Sequence, residues 1–185
     1  VNIQQLLEWN KTFGGNHHFG LLLGHEWQKS TTVSLGGSKS QMSSADKDEL
    51  NSAAIDNKTA YSSSGFYNVE GFFARAQYDF SERLFLNASY RLDASSNFSP
   101  KHWWGQFWSF GAGWLVNRED WFNIPMFSML KLKASVGSQG NDGIGSNRYR
   151  KTWSLVNYGG QFGSMPGELG NEDITWETNT NLNLG

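Results

Sequence analysis

The stretch GFYNVEGFFARAQYDFSERLFLNASYRLDASSNFSPKHWWGQFWSFGAGWLV, residues 65–116, decides the fold. Phe72, Ala74, Ala76, Tyr78 and Phe80 alternate with Phe73, Arg75, Gln77 and Asp79. A second segment alternates Leu84, Leu86, Ala88, Tyr90 and Leu92 with Phe85, Asn87, Ser89, Arg91 and Asp93. A third sets Trp108, Phe110, Ala112 and Trp114 against Phe107, Ser109, Gly111 and Gly113. Alternation of period two, kept this long, predicts antiparallel strands with one apolar face and one polar or small face. Only Ser81 and Glu82 separate the first two segments, a hairpin-sized gap, and a polar loop over 94–101 separates the second from the third.

Each strand runs to about ten residues or more, the length a tilted strand needs to cross a bilayer. Trp103 and Trp104 stand at one end of the third strand, Trp114 and Trp121 near the other, as aromatic girdles do in outer-membrane barrels. The competing reading is a soluble β-sheet carbohydrate-binding module with Trp103 and Trp104 as its stacking platform. Charged residues make only 17% of the chain and Gly counts 21, which suits a β protein. The net charge of −2 and the lack of basic blocks make nucleic acid an unfavoured partner. Without Cys, neither disulfides nor thiolate metal sites are available.

Upstream, Ile3, Leu7, Trp9 and Phe13 face opposite to Gln4, Glu8, Asn10 and Thr12; Gly14-Gly15-Asn16 then makes a turn. The return strand carries Phe19, Leu21, Leu23 and Trp27 on one face. His17 and His18 read as exposed turn histidines, since no further ligands stand at metal spacing. Residues 28–65 read as a long polar connection. Within it Asp46, Asp48 and Glu49 lack the ligand order of a calcium loop and read as a solvated charge run. Leu130, Leu132, Ala134 and Val136 mark another strand, followed by a Gly- and Asn-rich loop over 138–173. Its glycines lack a P-loop lysine and a following helix, which argues against phosphate binding. Ile174, Trp176, Thr178, Thr180, Leu182 and Leu184 alternate up to Gly185. No catalytic constellation is visible: the four His have no elbow or acid partner, and no carboxylate pair sits where burial would raise its pKa. No cofactor is implied.

Connections over 14–16, 81–82 and 117–128 alternate with those over 28–65, 94–101 and 138–173, which are mostly longer. A meander through a membrane has this rhythm, short turns on the periplasmic side and long loops outside. About seven strands cannot close a barrel alone, and the pattern is already running at both chain ends, as expected of a piece of a longer protein.

The motifs have a family likeness. RAQYDFSERLFLNASYRLDASSNFS (75–99) resembles the R-x-x-Y … R-x-D-[GA]-S-S-x-F stretch of SusC/RagA-type TonB-dependent transporters. GQFWSFGAGW (105–114), LKLKASVGSQGN (130–141) and LGNEDITWETNTNLNLG (169–185) resemble their following segments in order, and WNKTFG (9–14) with LLGHEWQ (22–28) resembles the hairpin before. The resemblance implies an all-β antiparallel meander belonging to a 22-stranded barrel that encloses a plug. Residues 1–185 would be a segment of that barrel domain, without plug domain or signal peptide. It further implies the outer membrane of a Gram-negative, Bacteroidota-like cell, and import of an oligosaccharide or peptide substrate. Its partners would be outer-membrane lipid, a SusD-type surface lipoprotein and, through the missing N-terminal region, the TonB complex. In such a barrel Arg75, Asp79, Arg91 and Asp93 are expected to form lumenal ion pairs across strands. Trp103, Tyr149, Trp153 and Tyr158 are candidates for substrate contact at the outer mouth.

Overall fold

The computed structural model describes all residues except 43, 47, 48, 51–57, 125 and 127, and the side chain of Lys58. Asp48, Pro125 and part of the 28–65 connection therefore lie outside the described residues. Among the described residues the strands are β1 (Asn2–Phe13), β2 (His17–Lys39), β3 (Lys58–Phe80), β4 (Leu84–Ser95), β5 (Trp104–Leu115), β6 (Lys131–Asn141), β7 (Trp153–Tyr158), β8 (Gln161–Pro166) and β9 (Glu177–Leu184), with a 3-10 turn at Val116–Arg118. One sheet has seven strands in the order β1-β2-β3-β4-β5-β6-β9; β7 and β8 form a second, two-stranded sheet. The chain divides into two compact units, residues 1–29 with 68–185, and residues 30–67.

The tight turns follow from local chemistry. Gly14 and Gly15 take φ of +58° and +80°, which side chains resist. Ser81 and Glu82 take φ of 52° and 54° without glycine. That conformation is held by Glu82 N–H donating to Asp79 Oδ1 at 3.0 Å and Ser81 N–H donating to Asn16 O at 2.7 Å. Arg118 donates to the Glu82 carboxylate, and this bond followed by its charge holds the Glu82 carboxyl below the usual range.

The registers put the expected sets on common faces. Leu84, Leu86, Ala88 and Tyr90 pair with Trp114, Ala112, Phe110 and Trp108, and these with Leu132, Ala134, Val136 and Ser138. Leu184 and Leu182 continue the apolar face opposite Ala134 and Val136. On β1 and β2 the same face carries Leu7 opposite Leu23 and Trp9 opposite Leu21. Phe72, Tyr90, Trp108, Phe110, Leu182 and Leu184 all remain exposed. The chain shows 13758 Å² to its surroundings, where a compact monomer of its mass would show about 8,900 Å². Trp104 and Trp114 bound this face ten steps apart on β5, about 33 Å along the strand and about 25 Å after tilting, the height of a lipid-facing apolar band. At one end Trp104, Phe72 and His25 stack with centroid separations of 6.2 and 4.6 Å; at the other end Trp114 and Trp121 lie 6.1 Å apart.

Four expectations need correction. Much of 28–65 is strand, because β2 and β3 each run for 23 residues. The 138–173 loop begins inside β6 and contains the β7–β8 hairpin. β9 starts at Glu177, so Ile174 and Trp176 lie outside it. His17 is half-buried: Tyr78 Oη and its Nδ1 share a hydrogen bond of 2.8 Å, and its ring lies 4.8 Å from that of Phe80.

In the full-length barrel, Leu86→Arg is expected to destabilise by about 2–4 kcal/mol near mid-membrane, and Asn87→Arg by far less. Equilibrium unfolding from lipid vesicles measures both; equal losses at the two positions would overturn the assignment of faces, and a larger loss at Asn87 would reverse it.

Candidate functional site

Asn87, Ser89, Arg91 and Asp93 project from β4 onto the polar face, with Ser89 and Ser109 hydroxyls 2.7 Å apart. Arg91 Nε donates to both Asp93 oxygens at 2.7 Å. Its Nη2 also lies 3.5 Å from Glu26 Oε1 on β2, reaching over the intervening β3. Two features of β3 permit that reach. Gly71 leaves the space where a Cβ would strike Asp93 Oδ1, and the Phe73 ring lies under the guanidinium, 5.4 Å from its centroid. Such a cation–π contact is worth about 0.5–1 kcal/mol where exposed. Phe73 itself fits because Gly24 has no side chain to strike its ring.

Arg75 stands opposite Ser89 in the register, and no ion pair involves it among the described residues. Asp79 serves the turn at Glu82. Glu26 was missed from sequence because the strand between it and Arg91 hides their proximity. On the apolar face, at the end where Trp104 stands, His25 Nε2 lies 3.1 Å from Glu70 Oε1.

Beyond β4 the DASSNFS segment folds into the driest part of the chain. Phe98 is fully buried and Ser95, Asn97 and Ser99 nearly so. The Phe98 ring packs 5.1 Å from Trp176, which also meets Phe107 at 5.2 Å. Hydrogen bonds tie this knot to four places. Ser96 N–H donates to Asn68 O at 3.0 Å, Ser95 Oγ to Asp142 Oδ2 at 2.6 Å, Ser99 Oγ to Glu172 O at 2.8 Å, and Trp176 Nε1 to Trp103 O at 2.9 Å. Asn68 Oδ1 and Asn97 Oδ1 are buried without a hydrogen-bond partner.

The aromatic candidates do not form one platform. Trp103 Nε1 donates to Phe98 O at 2.9 Å, so its indole is part of the knot, although 41% exposed. Tyr149 lies under the Arg150 guanidinium, 5.2 Å from its centroid. Trp153 and Tyr158 are exposed at the two ends of β7, five residues apart, and strand alternation points them to opposite faces of the hairpin. Among the described residues no group of three or more His, Cys, Asp or Glu gathers to hold a metal ion.

Residues 2–185 match the family described as TonB dependent receptor-like, beta-barrel. Two TonB-dependent receptors of Formosa agariphila are 28% and 29% identical over 98% and 99% of the chain, which spans 18% and 19% of their lengths. Among solved structures, the RagAB peptide transporter superposes with a TM-score of 0.89 at 24% identity, covering 99% of this chain and 21% of that one. The RagAB peptide importer in its open-open state superposes with a TM-score of 0.88. The chain thus spans about a fifth of the proteins it matches.

Phe98→Ala in the full-length protein is expected to cost about 3–5 kcal/mol, since the cavity cannot collapse against a hydrogen-bonded knot. Chemical denaturation read by tryptophan fluorescence tests this; a loss under 1 kcal/mol would show the knot to be loosely packed.

Proposed function

The chain belongs to the TonB dependent receptor-like β-barrel family, and on that premise we propose that residues 1–185 are a stretch of barrel wall in an outer-membrane importer of oligosaccharides or peptides. The observation carrying this reading is the two-faced sheet: an apolar face left uncovered over the height of a bilayer core, and a polar face lined by Asn87, Ser89, Arg91 and Asp93. In this reading β1 and β9, the sheet's edges, pair with further strands, because an open edge leaves unsatisfied backbone groups in the membrane. A plug fills the lumen, energy arrives through TonB, and a SusD-type lipoprotein covers the outer mouth. RagAB is a peptide transporter, and that likeness favours peptides among the substrates. A soluble carbohydrate-binding module would need a cover over the apolar face, and Leu7, Phe110 and Leu182 have none.

Substrate passes the outer mouth, where Tyr149, Trp153 and Tyr158 lie in the segment between β6 and β9 and Trp103 closes the knot beside it. Flat aromatic surfaces hold sugar rings or peptide planes without calling for charge. Because Trp153 and Tyr158 face opposite ways, one of them contacts substrate and the other a different surface.

Uptake of labelled peptide and labelled oligosaccharide by cells expressing the full-length transporter tests the reading. An aromatic contact of about 0.5–1.5 kcal/mol predicts uptake at subsaturating substrate lowered about twofold to tenfold by Trp153→Ala or Tyr158→Ala, with one of the two silent. Trp103→Phe, which keeps the ring and loses the bond to Phe98, separates contact from folding. Unchanged uptake in all three, with normal heat-modifiable mobility, would leave these residues a structural role only.

A further inference from the structure

The polar face of the seven-stranded sheet keeps its carboxylates occupied and leaves cations over. Glu8 accepts a hydrogen bond from Asn10, Asp79 from the Glu82 N–H, and Glu177 from Asn141. Glu26 and Asp93 share Arg91. Arg75, Lys131 and Lys133 stand on the same face and are exposed. Among the described residues none of these three side chains has an ion pair or a hydrogen bond. The chain as a whole carries a net charge of −2, so the surplus of cations belongs to this face.

Lys131 and Lys133 are two residues apart on β6, so both leave the same face with Cα atoms about 7 Å apart. Gly113, opposite Lys133, lets the Lys131 stem lie across β5: a Cβ there would come 3.4 Å from Lys131 Cε. The ammonium ends 5.1 Å from the centroid of the Phe85 ring on β4. The Asn87 carboxamide lies over Gly111, where a Cβ would strike its Oδ1. The two lysines, Phe85, Asn87, Ser135 and Asn183 line one hollow, and no Asp or Glu side chain borders it. Two like charges held this close repel, and an anion between them relieves the repulsion. Arg75 lies three strands and four residue steps from Lys133, about 20 Å between Cα atoms. That is the span of about six residues of extended peptide.

We propose that this face selects substrates rich in carboxylates, acidic peptides or uronate-bearing oligosaccharides. Lys131 and Lys133 hold one carboxylate in the hollow, and Arg75 holds another farther along the wall. The inference rests on the importer reading and narrows its substrate class. A small anion engages one of the two places, whereas an oligomer with repeated carboxylates engages both. Arg75 offers its carboxylate a planar fork of donors; the lysines act as point charges, with the Asn87 and Asn183 amides beside them. Fixed cations along a wall raise the local concentration of anions and speed their capture, and salt weakens both effects. The face's own carboxylates oppose this little, because each is already bonded.

The test measures uptake by cells expressing the full-length transporter, at subsaturating concentrations of labelled probes in matched pairs. One pair is a Glu-Gly repeat peptide against a Gln-Gly repeat of equal length; the other is an oligogalacturonate against a neutral hexose oligomer of equal length. In at least one pair, wild type is expected to favour the acidic probe by about threefold or more, with the preference shrinking as salt is raised. The pair that shows it identifies the source of the carboxylates. Lys131→Gln with Lys133→Gln, and separately Arg75→Gln, should each lower the acidic-to-neutral ratio by about twofold to tenfold; Lys133→Arg should keep it. A wild-type ratio near one in both pairs overturns the proposal. So does a ratio that neither variant changes; if total uptake then falls for both probes alike, the cations pair with the enclosed plug instead. Uptake of no probe overturns the importer reading and this inference with it, whereas uptake without charge preference overturns this inference alone. Should a variant not assemble, as judged by heat-modifiable mobility, the salt series on wild type still decides.

Discussion

A strand can lie against hydrocarbon only if neighbouring strands take up its backbone hydrogen bonds. That constraint shapes this chain more than any side-chain contact. Each of β4, β5 and β6 is paired on both sides, and most of its side chains are sorted between an apolar and a polar or small face. The hydrophobic effect then acts between sheet and membrane, with almost nothing left for an internal core. Phe98, Phe107 and Val116 are the buried apolar side chains among the described residues.

Because the apolar face of the sheet packs against nothing within the chain, positional order where β4 leaves the sheet must come from polar geometry. The DASSNFS knot provides it through hydrogen bonds to Asn68, Asp142, Glu172 and the Trp103–Trp176 pair. Each neutral hydrogen bond contributes only about 0.5–1.5 kcal/mol net. Breaking one partner in so dry a place costs more, since the other is left buried and unmatched. The knot therefore behaves as a unit, with Phe98 as its filling.

The strands with a clean apolar face were legible in the sequence, and so were the turns at 14–16 and 81–82. The outer parts of β2 and β3 were not. Stretches such as Lys29-Ser30-Thr31-Thr32 and Tyr61-Ser62-Ser63-Ser64 carry too little apolar alternation to mark a strand, since both faces meet water there. Trp176 continued the apolar alternation on paper, yet the chain joins the sheet only at Glu177, which frees the indole to cover Phe98 and Phe107. The ion pairs were half legible. Arg91 and Asp93 stand two apart on one strand, but Arg91's second carboxylate comes from β2, visible only once Gly71 is seen to open the way. The aromatic candidates were legible as residues at one end of the strands; the division of Trp153 and Tyr158 between opposite faces of β7 needed the β7–β8 register.

The knot also separates two demands that would otherwise conflict. Exposed excursions can change in shape, while the strands below them must keep one register, since a slip of a single residue would turn every polar-face side chain onto the apolar face. Ser95, Asn97 and Asp142 bind the ends of β4 and β6 to each other beneath the longer excursions. The β7–β8 hairpin, whose residues are exposed on both faces, hangs from this fixed rim. Changes in the hairpin leave the ladder that Arg91 and Asp93 belong to untouched. The constraint lies one layer below the hairpin, in a short polar segment where little can be replaced without leaving a buried group unmatched.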